Sequence, residues 1–171
     1  MTTIPDRSEA AEYYFMYIDQ VPAGDIREIL RAQLPETLTL LREIPDDKSL
    51  HRYAPDKWSI REVVGHVNDC ERLFMSRAFW FARGFDTPMP SFDQDIAAST
   101  AGAHERPWST HIEEFSTVRA ATLSLVDNLP AEAWDRRGIA SGNPFTVRAL
   151  AYTIAGHVTH HMNVLRQRYS W

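Results

Sequence analysis

The residues best suited to chemistry are two histidines near the C-terminal end of the chain. His157 and His161 are four positions apart in a stretch, 146–169, that contains no proline, so on a helix they lie one above the other. The apolar residues of this stretch recur at helical spacing and share that face: Leu150, Ile154, Val158, Val164 and Leu165. Burying two imidazoles is costly unless each has a polar partner, and a metal ion satisfies both. A hydrogen-bonded pair of core histidines is the alternative that this spacing leaves open.

A third inward-facing histidine is predicted on an earlier helix. Ser59 followed by Glu62 forms a capping box and Gly84 ends the apolar pattern, so this helix should cover residues 59–83. His66 shares one of its faces with Val63, Cys70 and Leu73, and Asp69 lies at the edge.

Two more amphipathic stretches complete an all-α four-helix bundle. The first, 25–44, contains Pro35, which should bend it. The second, 110–129, is predicted to begin at a capping box of Thr110 and Glu113. No strand pair is predicted. We interpret residues 1–171 as one domain, with residues 1–21 as a short aromatic extension packed on its outside.

The connection formed by residues 84–107 decides how the helices are arranged. It lacks a sustained apolar period and is unusually long for a compact domain. A segment of about 24 residues can span a helix of about 38 Å and return the chain to its starting end. The helices on either side of it should then be parallel, in a bundle with one long crossover between its second and third helices.

This arrangement brings the three histidines to one depth. If helices 59–83 and 146–169 are antiparallel, the start of one lies beside the end of the other. His66 lies ~10 Å from that shared end, and His161 and His157 lie ~12–18 Å from it. Three neutral imidazoles in one layer suit Zn²⁺ or Ni²⁺ and leave coordination positions for water or substrate, as in catalytic sites.

Composition excludes several other classes of protein. The chain has 171 residues, 44% of them hydrophobic, and a net charge of -5, which is typical of a soluble domain and not of a nucleic-acid-binding protein. Neither a signal peptide nor a membrane anchor is recognisable. The single cysteine, Cys70, favours a reducing cytoplasm and is predicted to be a buried, inert thiol.

Several stretches of the chain resemble the DinB-like superfamily, and within it the YfiT-like branch of metal-dependent enzymes. The resemblance covers nearly the whole chain from about residue 22. Its most specific parts are Lys57-Trp58-Ser59-Ile60-Arg61-Glu62-Val63-Val64-Gly65-His66-Val67-Asn68-Asp69 with Glu71-Arg72, and Gly156-His157-Val158-Thr159-His160-His161. Ala82-Arg83-Gly84 and Thr146-Val147-Arg148-Ala149-Leu150 are also similar to that branch.

The resemblance implies an up-down-down-up four-helix bundle, commonly a homodimer, in which three histidines hold a metal ion. They correspond here to His66, His157 and His161. Relatives of known activity include bacillithiol-dependent S-transferases and a mycothiol-dependent maleylpyruvate isomerase. The leading functional hypothesis is therefore metal-dependent transfer of a low-molecular-weight thiol to a small electrophile, because a metal with neutral ligands deprotonates a coordinating thiol.

Two other functions remain open from the sequence. A three-histidine zinc site can also activate water, which would make the protein a hydrolase of a small amide or ester. The general base for that reaction would be Asp69 or Glu62. The third hypothesis is a non-catalytic, metal-binding stress or sensing module.

Three residues could support the ligands or contact the substrate: Asp69, Arg77 and His160. Arg77 could face the pocket mouth and recognise a carboxylate, with a solvated helix residue as the alternative. His160 points about 60° away from the direction of His157 and could instead pack near helix 110–129. Surface positions are predicted for His51, His104 and His111.

Overall fold

Four long helices form the body of the molecule in a computed structural model that describes residues 2–169 and 171. They are α2 (Ile26–Glu43), α3 (Ile60–Ala82), α5 (Trp108–Asp127) and α6 (Val147–Arg168). Two short helices accompany them, α1 (Phe15–Ile18) and α4 (Gln94–Thr100). Single 3-10 turns occupy Arg7–Glu9, Glu12–Tyr14, Lys48–Leu50, Ala103–Glu105 and Ala131–Ala133. The mostly helical prediction is confirmed.

A small hairpin that was not predicted precedes α6. Its strands are β1 (Arg137–Ala140) and β2 (Asn143–Thr146), paired antiparallel. The turn uses Ser141 and Gly142, whose φ values are 52° and 74°, as a two-residue hairpin turn requires. Each strand has only four residues, too few to show a recognisable alternation of apolar and polar positions.

The side-chain caps predicted for three of the long helices are present. Asp25 accepts a hydrogen bond from the Arg27 amide at the start of α2, which continues through Pro35 to Glu43. Ser59 and Glu62 form the predicted capping box of α3. At the start of α6, Thr146 accepts from a backbone amide one turn ahead.

The predicted start of α5 was wrong. The helix begins at Trp108, two residues before the proposed Thr110 cap. Its first amide, that of Trp108, donates a hydrogen bond to Oδ1 of Asp46, a residue distant in sequence, at 3.1 Å. Such a long-range cap leaves no local signal in the sequence.

Contacts at both ends show that α3 and α6 are antiparallel. At one end, the Tyr169 hydroxyl after α6 donates to the carbonyl of Trp58 just before α3, at 2.7 Å. At the other end, the Arg136 guanidinium, in the segment leading to α6, donates to the carbonyl of Ala82 at the end of α3. The relative orientation that the histidine argument needs is therefore present.

α5, the third of the four long helices, runs parallel to α3. Arg61, early in α3, donates to the carbonyl of Arg106 just before α5 at 2.7 Å, whereas Glu71, in the middle of α3, pairs with Arg119 inside α5 at 2.7 Å. α2 runs opposite to α5, since Arg31 near the start of α2 pairs with Asp127 at the end of α5. At the other end, the Trp108 ring at the start of α5 donates to the carbonyl of Leu41 near the end of α2. The up-down-down-up arrangement with its long crossover is thus confirmed.

The N-terminal segment is part of the core, contrary to the prediction that it packs on the outside. Phe15 and Ile18 are almost completely buried, and α1 packs against α6. The two backbones approach closely at Gly156, where an added Cβ would lie 2.1 Å from the Tyr17 carbonyl oxygen. Within residues 2–169 and 171, no helix has the length and apolar character of a membrane span.

The close approach at Gly156 can be tested by substitution. Gly156→Ala should lower the free energy of unfolding by ~1–3 kcal/mol, because a backbone oxygen cannot move aside as a flexible side chain can. Gly65→Ala is the matched control: it is also a helical glycine, but a Cβ there would meet nothing within 4 Å. It should raise the stability by ~0.5–1 kcal/mol. Urea denaturation measures both, and equal effects would contradict the contact.

Candidate metal centre

Three histidines from two helices converge inside the bundle. α3 contributes His66, and α6 contributes His157 and His161. Nε2 of His157 lies 3.1 Å from Nε2 of His66 and 3.1 Å from Nε2 of His161. One ring nitrogen from each residue lies within 4.8 Å of the other two. The distances of the three histidines from the helix ends predicted this convergence, and the antiparallel pairing of α3 and α6 produces it.

Burial keeps the three imidazoles neutral at physiological pH. It lowers the pKa of His66 from 6.5 to about 4 and is the main reason that the pKa of His161 falls to about 3. The pKa of His157 also lies well below its usual value, first because of burial and then because of its two partners. Each ring can therefore offer a lone pair.

The donor set fits a divalent ion better than it fits a hydrogen-bond network. A neutral imidazole nitrogen carries either one hydrogen or one lone pair, so Nε2 of His157 cannot make two good hydrogen bonds with its two close neighbours. An ion that accepts one lone pair from each ring would satisfy all three nitrogens at once. In the part of the chain that the structure describes, this group of potential ligands contains histidines alone, which suits a nitrogen-preferring ion such as zinc.

Aromatic rings surround the histidine cluster. The Trp58 ring lies 4.9 Å from the His66 ring, and the Tyr17 and Phe74 rings lie 5.2 and 6.0 Å from the His157 ring, between centroids. The sequence pattern did not connect Tyr17 with the site, because Tyr17 lies 140 residues before His157 in the chain. The aromatic shell accounts for the strong desolvation of the cluster.

Cys70 also touches the cluster, one turn after His66 on α3. Its Sγ lies 3.6 Å from Nδ1 of His66. Burial raises the pKa of this thiol to about 12, so it is neutral at pH 7, in agreement with the predicted inert thiol.

Two cavities reach different histidines of the cluster. The inner cavity, of about 170 Å³, reaches His66 and His157. It is lined mainly by aromatic and polar residues: Tyr13, Tyr14, Tyr17, Cys70, Leu73, Phe74, Arg77, Phe92, Gln94 and Ser141. The outer cavity, of about 440 Å³, reaches His161 and is lined in part by Tyr53, Lys57, Trp58, Asp95 and Arg168. Gln94 of α4 lines both.

Of the other predicted residues, Arg77 lies in the inner cavity and Asp69 does not. Arg77 is only 1% exposed, so the solvated alternative was wrong. Asp69 lies beside a separate groove together with Arg72 and Glu114, and burial raises its pKa. Glu62 is also engaged elsewhere, because its carboxylate accepts from the Ser59 amide at 2.7 Å and pairs with Arg52.

The remaining histidines take different positions. His160 packs against Tyr17, with 5.4 Å between ring centroids, and its Nδ1 lies 3.4 Å from Nε2 of Gln20. It therefore contacts the N-terminal segment, and its ring also lies 5.0 Å from the ring of His161, between centroids. The surface prediction was wrong for His111, which is fully buried and donates from Nε2 to the carbonyl of Ala103. His51 is exposed, as predicted.

The helix order and the histidine cluster together define a class of protein. The chain belongs to the DinB superfamily, whose family model matches residues 29–165. Among solved structures it is similar to YfiT from Bacillus subtilis, which is described as a probable metal-dependent hydrolase with an unusual four-helix bundle topology. The two chains are 18% identical, with a TM-score of 0.72 over 97% of this chain and 94% of that one. No curated protein matches the chain significantly.

The cluster should make the stability of the metal-free protein depend on pH. His66 and His161 have folded-state pKa values of about 4 and about 3, below the ordinary 6.5, so the unfolded chain takes up protons first on acidification. Their contribution to stability should be fully present above about pH 7 and be lost as the pH falls from about 6.5 to about 3.

Thermal unfolding of chelator-treated protein, followed by circular dichroism, tests this dependence. Tm should be lower at pH 5 than at pH 7, and the difference should be smaller in His161→Gln. His51→Gln, at an exposed histidine, is the control and should show the full difference. Identical pH profiles for His161→Gln and the wild type would contradict the assignment.

Proposed function

We propose that the protein is a divalent-metal-dependent enzyme that transfers a low-molecular-weight thiol of the bacillithiol or mycothiol type to a small electrophile. In this proposal, His66, His157 and His161 hold the ion, Zn²⁺ or Ni²⁺. The observation that carries it is that two cavities reach the cluster, one at His66 and His157 and the other at His161, since a transferase must bring two substrates to one point.

The three ligands suit this reaction because none of them is charged. A divalent ion held by neutral imidazoles would keep its full positive charge and would lower the pKa of a thiol or water at the site. The protein's part is to hold the rings in place and to exclude bulk water with Trp58, Tyr17 and Phe74. In the overall reaction, a sulfur–carbon bond forms as the bond to the leaving group breaks. The leaving group departs with the bonding electrons, and the thiol proton passes to solvent.

The outer cavity suits the thiol substrate. It is the larger of the two and carries both signs of charge, with Lys57 and Arg168 beside Asp56 and Asp95. Low-molecular-weight thiols of this type are polar and carry carboxylate or sugar groups, which such a surface can bind by hydrogen bonds and ion pairs. The smaller, aromatic inner cavity is left for the electrophile.

Hydrolysis is the second candidate, and the description of YfiT favours it. A hydrolase of this kind would use water in place of the thiol and would need a general base near the cluster. The two carboxylates considered for that role are placed otherwise: Glu62 caps α3 and Asp69 faces a separate groove. This placement favours thiol transfer over hydrolysis.

Metal binding is tested by elemental analysis of the purified protein. The wild type should retain close to one equivalent of Zn²⁺ or Ni²⁺, and His66→Ala and His161→Ala should each lose it, because two remaining imidazoles bind a divalent ion weakly. His51→Ala should keep the full content. Retention of metal by both ligand variants while they stay folded would exclude this site.

Thiol transfer is tested with zinc-loaded protein, bacillithiol or mycothiol, and benzyl chloride, by following chloride release. We expect a thiol-dependent rate that falls by about 100-fold or more in His66→Ala, since an activating group of this kind contributes factors of that order. Cys70→Ala should retain most of the rate, because the added thiol supplies the sulfur.

Three results would count against thiol transfer in different ways. A rate in the wild type no greater than in His66→Ala would reject it. Metal-dependent cleavage of 4-nitrophenyl acetate without thiol would support the hydrolase. Failure of both reactions in a protein that binds metal would favour a non-catalytic module.

A further inference from the structure

Arg77 is a buried cation without an acidic partner. Its guanidinium donates from Nη2 to the carbonyl of Pro90 at 2.9 Å and to Ser141 Oγ at 2.8 Å. Its Nε is buried and has no hydrogen-bond partner among the described residues. Within the same residues, no carboxylate lies within ion-pair distance of Arg77. Its polar neighbours are neutral: the Pro90 carbonyl, the Ser141 hydroxyl and the Tyr14 hydroxyl.

The other deeply buried arginines of the bundle are paired. Arg119, which is 0% exposed, makes two hydrogen bonds to the Glu71 carboxylate at 2.7 and 2.9 Å. Arg61 pairs with Asp46 at 3.0 Å. A buried charge is costly unless it is neutralised and fully hydrogen-bonded. Arg77 is therefore the exception that needs an explanation beyond packing.

Arg77 forms part of the wall of the inner cavity. Arg77 and Ser141 line this cavity together with His66 and His157. Burial lowers the pKa of Arg77, and among its neighbours Tyr14 and Cys70 act in the opposite direction. Arginine nevertheless keeps its charge in proteins, so the wall of the cavity carries a fixed cation as well as two histidines of the cluster.

We propose that the inner cavity binds the carboxylate of a small anionic electrophile on Arg77 and holds the reacting atom of that electrophile near the histidine cluster. The inference rests on the proposed thiol transfer for the identity of the reaction, but the anion site itself does not depend on it. A planar guanidinium fork recognises a carboxylate in preference to an uncharged group.

The dimensions of the cavity restrict this substrate further. Arg77 follows His66 by eleven residues, which is ~16 Å of helix rise before the reach of the two side chains is subtracted. The anionic end and the reacting atom should therefore be several bonds apart. A volume of about 170 Å³ is small for a ligand site, and its aromatic walls favour a flat, ring-sized molecule.

Binding of benzoate and of its uncharged analogue benzamide tests the anion site by isothermal titration calorimetry, without any turnover. The wild type should bind benzoate more tightly than benzamide. Arg77→Met should weaken benzoate binding by about 10- to 100-fold, as expected for a lost charge-assisted hydrogen bond, without a comparable change for benzamide. The benzoate affinity of Arg77→Lys should lie between those of the wild type and Arg77→Met, because lysine keeps the positive charge but lacks the planar guanidinium fork.

Arg72→Met is the matched control. It removes the same charge from the same helix, but Arg72 is half-exposed, pairs with Asp69 and Glu114, and lines the separate groove. It should leave benzoate binding unchanged. If Arg77→Met does not fold by circular dichroism, the comparison of Arg77→Lys with the wild type decides: equal benzoate affinities would then overturn the proposal.

Titrations with and without Zn²⁺ separate the arginine from the metal. Benzoate binding that disappears on removal of zinc and survives Arg77→Met would show that the carboxylate binds the ion, and would overturn the proposal. So would equal affinities for benzoate and benzamide in the wild type. Persistence of the Arg77-dependent preference in zinc-free protein would support it.

Kinetics distinguish failure of this inference from failure of the proposed function. With 4-(chloromethyl)benzoate and 4-(chloromethyl)benzamide as electrophiles, the wild type should show a higher kcat/KM for the anion, and Arg77→Met should abolish that preference. Thiol transfer without any charge preference would reject the anion site and leave the function standing. Arg77-dependent benzoate binding without thiol transfer would reject the proposed function and leave the anion site standing.

Discussion

Three uncharged imidazoles held nitrogen to nitrogen inside an aromatic shell form the constraint on which the rest of the structure depends. His66 reaches the other two only if α3 and α6 keep one relative depth, and a slide of one turn would separate the rings by about 5.4 Å. The hydrogen bonds from Tyr169 to Trp58 and from Arg136 to Ala82 fix the two helices at both ends. The long crossover follows from the same requirement. It makes α5 parallel to α3, so that α6, which returns beside α5, runs antiparallel to α3.

The charges of the molecule are distributed in keeping with that constraint. The acids nearest to the cluster along α3 are engaged elsewhere: Glu62 in the cap of α3, Asp69 beside the separate groove, and Glu71 with Arg119 of α5. Glu114 is held in the same way, by Arg72 and Arg106. The interior around the histidines therefore contains imidazoles, aromatic rings and one unpaired guanidinium. Such surroundings fit the anionic substrate proposed above.

Much of this architecture could be predicted from local sequence. The four long helices follow from apolar periodicity and from the side-chain caps at Asp25, Ser59 and Thr146, all of which involve neighbours within one turn. The convergence of the histidines followed from counting residues from helix ends, once the long connection had been interpreted as a crossover.

The features that were missed depend on parts of the chain that are distant in sequence. The first amide of α5, that of Trp108, donates to Asp46, and Arg77 is covered by Pro90 and Ser141 from two separate loops. Periodicity describes only which face of a helix is apolar. It does not show that a loop will cover a polar position, so Arg77 could equally be interpreted as solvated.

The contact between Tyr17 and His157 has a consequence for how the protein is made. Tyr17 is translated 140 residues before its ring partner on α6, His157. The backbone of Tyr17 also lies directly on Gly156, so the wall of the inner cavity cannot form on a partial chain. The pocket that encloses the histidines can therefore form only after α6 has been translated, and any metal loading that needs this enclosed pocket follows that step.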